Sequence, residues 1–144
     1  GAPVGSALVG TTKQMAKARR FRKMFGGGMR QAGMIAAGAL YALKHQRDRL
    51  AEDHDNAQRL AKGLRDIQGI VIDPAAVETN LVNFELGNSL GAVASDVVEK
   101  LAQQDVAVLA TGPRKIRAVT NLMVSQGQID RAIDAIAQTL KDVA

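Results

Sequence analysis

The stretch Lys23-Met24-Phe25-Gly26-Gly27-Gly28-Met29-Arg30-Gln31 sets three consecutive glycines between two segments of opposite character. Glycine loses more conformational freedom on ordering than any other residue and leaves the main chain uncovered. Such a run suits a place where something must come close to the backbone, and Lys23 and Arg30 on its flanks suit an anion. The run has neither the Gly-Lys-Ser ending of a phosphate-binding loop nor the spacing of a dinucleotide fingerprint. A helix-breaking linker and an anion-binding turn at the start of the next helix both remain open.

Upstream lies a basic helix. Thr11 or Thr12 offers an N-cap, and Met15, Ala18, Phe21 and Phe25 recur on one face among Lys13, Lys17, Arg20 and Lys23. Before it, Ala7-Leu8-Val9-Gly10 reads as a short buried strand. Downstream, Gln31 to about Gln46 is apolar nearly all round, and Ala32, Gly33, Ala36, Ala37 and Gly38 permit close packing. A helix of that kind belongs in a core or an oligomer interface.

The charge is divided unevenly along the chain. Residues 1–47 carry nine Lys or Arg and no Asp or Glu, whereas residues 48–144 carry ten basic and fourteen acidic residues. The positive field is therefore local, and it favours a local anion: nucleic acid, a phosphorylated cofactor, an acidic partner or an acidic surface elsewhere in a longer chain. The run Lys17-Ala18-Arg19-Arg20-Phe21-Arg22-Lys23 concentrates it and reads first as a solvated or interface face, then as a phosphate-cofactor site and last as a nucleic-acid site. Only four aromatic residues occur in the 144, with no zinc spacing and no helix-turn-helix signal, so the sequence argues against nucleic acid. The absence of cysteine removes disulfides and thiolate chemistry and fits the cytoplasm. The longest uncharged run, Gln31 to Leu43, is too short to span a bilayer, so no membrane partner is expected.

The second half has its own pattern. Leu50, His54, Ala57, Leu60, Ala61, Leu64 and Ile67 recur at helical spacing. Short strands are expected at Ile70–Ile72, Asn80–Leu86, Val106–Leu109 and Lys115–Thr120, with a turn at Asp73-Pro74. Val93, Val97, Val98 and Leu101 mark one more helix. The last helix starts at Ser125-Gln126-Gly127-Gln128, a capping box, and Ile129, Ile133, Ile136 and Leu140 line its inner face. The expected fold is a small α+β unit of antiparallel strands covered by helices.

Among chemically capable residues, His54 reads as a hydrogen-bonded core residue rather than a base, and no metal-ligand spacing or nucleophile elbow occurs. Arg117 alternates with Ile116 and Ala118. It reads either as a surface arginine on an edge strand or as a bidentate carboxylate clamp.

Five segments in order, GAPVGS at 1–6, RKMFGGGMRQAG at 22–33, LAEDHDNA at 50–57, TNLVNF at 79–84 and IRAVT at 116–120, resemble the C-terminal part of the low-specificity L-threonine aldolases. The resemblance implies an α/β enzyme of the aspartate-aminotransferase fold (fold type I), using pyridoxal 5'-phosphate to cleave β-hydroxy-α-amino acids to glycine and an aldehyde. It implies that residues 1–46 end the large cofactor-binding domain and that 47–144 form the linking helix and the small C-terminal domain. The Schiff-base lysine is expected just upstream of Gly1, with the ring-stacking histidine and the acid that pairs with the pyridine nitrogen in the N-terminal portion of the same enzyme. The chain is thus expected to be a piece of a longer one, with no catalytic residue of its own, and to be inactive alone.

By position the resemblance assigns Arg30 and Lys23, with Gly27 and Gly28, to the cofactor phosphate across a homodimer or homotetramer interface. It assigns Arg117 to the α-carboxylate of the amino-acid substrate. The pattern departs from the family at Asn121, where histidine is usual. Another fold-type-I lyase, β-eliminating, and a non-catalytic basic interaction fragment are the alternatives.

Overall fold

A computed structural model of the chain describes residue 2 and residues 4–143, so Gly1 and Pro3 of the opening motif lie outside the described residues. The chain divides into two compact units, Gly1–Asp48 and Arg49–Ala144.

The first unit is helical. Helix α1 (Thr12–Met24) starts at a full capping box: the Thr11 hydroxyl accepts from the Gln14 amide, and Gln14 Oε1 accepts from the Thr11 amide at 2.9 Å. Helix α2 (Gly33–His45) starts at Ala32, which supplies no side-chain cap. Neither helix contains a buried residue. Met34, Leu40, Tyr41 and Leu43 are exposed on α2, as its apolar circumference requires when no second layer covers it.

The buried strand expected at Ala7–Gly10 is not formed. The segment is irregular, and Leu8 and Val9 are 71% and 90% exposed. A strand exists through its ladder partner, and the sheet among the described residues lies wholly in the second unit.

In that second unit, helix α3 (Leu50–Arg65) is followed by β1 (Ile70–Val71), a single 3₁₀ turn (Pro74–Ala76), β2 (Leu81–Leu86), α4 (Ala94–Ala102), β3 (Leu109–Ala110), β4 (Lys115–Val119) and α5 (Gln126–Lys141). The strands form one antiparallel sheet in the order β1-β2-β4-β3. Its centre is the β2–β4 ladder, in which Val82 faces Ala118, Asn83 faces Arg117 and Phe84 faces Ile116.

Alternation along the strands then decides the layers. Val82, Phe84, Leu86, Ile116 and Ala118 are buried under the helices with Leu60, Leu64, Val97, Leu101, Ile136 and Leu140. Leu81, Asn83, Lys115 and Val119 on the other face are exposed, and Glu85 and Arg117 are half-buried there. Helices α3 and α5 approach closely at Gly63, where a Cβ would stand 2.5 Å from Ile133 Cδ1. Across the same helix pair Arg59 donates to Asp130 and holds its carboxyl below the usual carboxylate range. Both side chains are exposed, so this pair contributes little to stability.

The apolar period on α3 omitted the polar residues of its inner face. Asp53 and Asn56 are buried, while Leu50 is 48% exposed. Thr120 Oγ1 donates to the Asp53 carbonyl at 2.7 Å, Asn56 Nδ2 donates to the Val124 carbonyl at 3.0 Å, and Asn80 Nδ2 donates to the Thr120 carbonyl at 2.8 Å. These bonds pin the end of β4 to α3 and to the chain entering β2. Thr120→Val keeps the shape but leaves the buried Asp53 carbonyl without that donor. It should destabilise the fold by about 1–3 kcal/mol, whereas Thr120→Ser stays near wild type, both read from urea midpoints.

Candidate functional site

The glycine run serves first as the end of α1. Gly26 takes φ +82°, its amide donates to the Lys23 carbonyl at 3.2 Å, and the Gly27 amide donates to the Arg22 carbonyl at 2.8 Å. This paired closure with a left-handed residue is a Schellman cap. A Cβ at Gly27 would stand 2.7 Å from Arg22 Cγ and 3.0 Å from the Arg22 carbonyl oxygen, so the cap needs glycine there too. The amides of Gly26 and Gly27 are thus already engaged, which the sequence alone did not reveal.

The Gly28 amide has no acceptor among the described residues. Beside it stands Lys23, whose Nζ lies 3.7 Å from the point a Gly28 Cβ would occupy. Arg30 is exposed in the turn that leads to α2 and forms no ion pair among the described residues. Lys23 in the last turn of α1, the Gly28 amide and Arg30 therefore lie within eight residues of one another, with no counter-ion among the described residues. Arg19 and Arg22 line a shallow groove of about 430 Å³ in the same unit with Ser6, Leu8 and Met15. The chemistry on offer is recognition of an anion by cations and bare backbone.

The second group of interest is the guanidinium of Arg117. β4 is an interior strand between β2 and β3, which corrects the edge-strand alternative; periodicity fixes a residue's face but not its strand's neighbours. Arg117 stands on the face away from the helices, opposite Asn83 on β2 and Leu109 on β3. Its Nε is shut off from solvent and has no hydrogen-bond partner. A buried polar atom left without a partner is rare and calls for an explanation. A planar carboxylate meeting the fork of Nε and a terminal nitrogen supplies one.

Arg114 provides the contrast. Its Nε donates to the Leu86 carbonyl at 2.7 Å, and its terminal nitrogens donate to the carbonyls of Gly87, of Leu90 at 3.1 Å and of Ala92 at 3.4 Å. This arginine ties down the loop after β2 and spends four of its five donors on backbone carbonyls.

The family model described as Beta-eliminating lyase matches residues 1–86, well over half of the chain. The chain belongs to the beta-eliminating lyase family.

Within that family's range, curated relatives carry a narrower name, the one whose resemblance the sequence motifs indicated. The low-specificity L-threonine aldolase 1 of Arabidopsis thaliana is 33% identical over 140 residues, 97% of this chain and 39% of that protein. The low specificity L-threonine aldolase of Escherichia coli is 40% identical over 129 residues, 90% of this chain and 36% of that protein. The chain therefore spans less than two-fifths of the length of these relatives. Among solved structures, a C-DES mutant with glycine covalently linked to its PLP cofactor superposes with a TM-score of 0.63 at 20% identity, over 80% of this chain and 31% of that one. That likeness shows the fold, which this chain shares with part of that protein.

In this member of the beta-eliminating lyase family, Asn121 supports the turn after β4. Its Oδ1 accepts from the Met123 amide at 2.9 Å and its carbonyl accepts from the Val124 amide at 2.8 Å. The residue that departs from the resemblance thus has a local structural task. His54, expected as a hydrogen-bonded core residue, is half-buried in α3, and its side chain makes no hydrogen bond among the described residues. No group of three or more potential metal ligands occurs among them, and none of their helices is long and apolar enough to cross a membrane.

The two arginines of the second unit should respond unequally to truncation of charge. Arg114→Met removes charged donors from four carbonyls and should lower the unfolding free energy by about 1.5–3 kcal/mol. Arg117→Met deletes an orphan and should shift it by less than about 0.5 kcal/mol. Denaturant titration of both variants checks the pair.

Proposed function

We propose that this chain is the C-terminal part of a pyridoxal-phosphate-dependent aldolase that cleaves L-threonine and related β-hydroxy-α-amino acids to glycine and an aldehyde. The observation that carries the reading is the solvent-shielded, unpartnered Nε of Arg117 on the open face of the sheet. It is supported by 33–40% identity to relatives named low-specificity L-threonine aldolases over nearly the whole chain.

The residues present fit an anionic cofactor and a carboxylate substrate. Lys23, the Gly28 amide and Arg30 form a cationic connection without an internal acid, which is what a phosphate requires. Gly27 contributes bare backbone rather than a donor, because its amide caps α1. These groups reach the phosphate of a neighbouring subunit in a homodimer or homotetramer. The cofactor, when bound, supplies an electron sink for the bond that breaks.

Arg117 holds the α-carboxylate, and its fork sets the orientation of the amino acid as well as its affinity. Orientation matters because only one of the bonds at Cα can be aligned for cleavage at a time. The lysine that anchors the cofactor belongs to the part of the enzyme ahead of Gly1, and the cytoplasm is the compartment that a cysteine-free chain suits. The family model's description also favours a second reading, a β-eliminating lyase that uses the same phosphate and carboxylate contacts. Release of acetaldehyde and glycine from threonine by the complete enzyme distinguishes the aldolase.

In that enzyme, Arg117→Lys keeps the charge and loses the fork. It should lower kcat/KM for threonine by ~10²-fold, roughly 2.7 kcal/mol of transition-state stabilisation, with cofactor affinity unchanged. Steady-state kinetics with a parallel cofactor titration test it, and wild-type kcat/KM in the variant would reject the clamp. Arg30→Ala should instead weaken cofactor retention by about 1.5–3 kcal/mol. Dialysis against cofactor-free buffer, followed by absorbance of the retained fraction, reads that loss.

A further inference from the structure

We propose that the ion pair between Lys115 and Glu85 keeps the Arg117 fork free for an incoming carboxylate. The inference rests on the reading of Arg117 as the carboxylate clamp. Of all the residues in the four strands, Glu85 is the single acid. It stands on the same face as Arg117: strand alternation puts its neighbours Phe84 and Leu86 into the core, and the residue two before it, Asn83, is the direct cross-strand partner of Arg117. Glu85 is therefore a diagonal neighbour of Arg117. At that position in an antiparallel pair the backbones are about 7–8 Å apart, within the span of long side chains.

An internal carboxylate so placed is a competitor for the guanidinium. It would meet Arg117 intramolecularly and would repel any second carboxylate approaching the fork. Glu85 instead accepts from Lys115 Nζ at 3.0 Å, directly across the ladder. Lys115 sits two residues before Arg117 on the same strand and face, so it intercepts Glu85 before the fork does. The division of labour follows the chemistry of the two cations. A compact ammonium satisfies one carboxylate oxygen, and the planar, directional fork is left for the ligand. Asn83, directly opposite Arg117, is uncharged and makes no competing ion pair.

Lys115 is thus a positioning residue, acting through Glu85 on the availability of Arg117. In the complete enzyme, Lys115→Met should raise KM for threonine by about two- to six-fold with kcat unchanged, the range expected for one exposed ion pair turned into a competitor. Adding Glu85→Gln to Lys115→Met should return KM to the wild-type value, which loss of a merely structural contact would not do. A readout independent of turnover is the ¹⁵N–¹H resonance of Arg117 Nε. It should move in Lys115→Met and return in the double variant. An unchanged KM and an unmoved resonance in Lys115→Met, or a double variant that fails to recover, would overturn the proposal. Arg117→Lys separates the two readings. If it leaves kcat/KM unchanged, the clamp and its guard both fall; if it impairs turnover while Lys115→Met does not, only the guard falls.

Discussion

The antiparallel pairing of β2 with β4 is the constraint on which the second unit depends. Five consecutive cross-strand pairs fix the register from Leu81–Val119 to Glu85–Lys115. Because side chains alternate with a period of two, a slip of either strand by one residue would turn its own apolar pair, Val82 and Phe84 or Ile116 and Ala118, out to solvent and bring its polar residues, Asn83 and Glu85 or Lys115 and Arg117, toward the core. Burial of the apolar set therefore selects the face on which Arg117 stands. The core and the candidate binding face are two sides of one ladder, and the energy that holds the first positions the second.

The first unit follows a different rule. It has nine Lys or Arg and no acid through residue 47, and neither of its helices buries a residue. Its order comes from local devices, the Thr11–Gln14 box at one end of α1 and the glycine cap at the other. Its cations are arranged by the covalent spacing of a capped helix and a tight connection. Such a surface is suited to receiving charge from outside.

Much of this was legible in the sequence, because the signals concerned are local. The capping box at Ser125 and Gln128 and the alternation of Val82, Phe84 and Leu86 involve residues within a few positions of one another, and all appear as read. The strand expected at Ala7–Gly10 depends on a neighbouring strand, which no local pattern specifies. The burial of Asp53 and Asn56 has no signature in apolar spacing, because it depends on groups far along the chain: Thr120 donates to the Asp53 main-chain carbonyl and Val124 accepts from the Asn56 side chain. Arg114 and Arg117 are the same residue type three positions apart. The one is caged by carbonyls of residues 86–92 and the other left without a partner at its buried Nε, a distinction that only the tertiary path of the chain creates.

The cage around Arg114 also constrains the length of the loop after β2. Residues 86–92 contribute carbonyl oxygens to a single side chain instead of closing a ladder of their own. The donors of a guanidinium radiate in one plane at fixed angles, so the four acceptors are correctly placed only for one path of the chain between Leu86 and Ala92. A residue inserted or deleted there would carry carbonyls off the fork, which makes this connection less tolerant of a change in length than surface loops generally are.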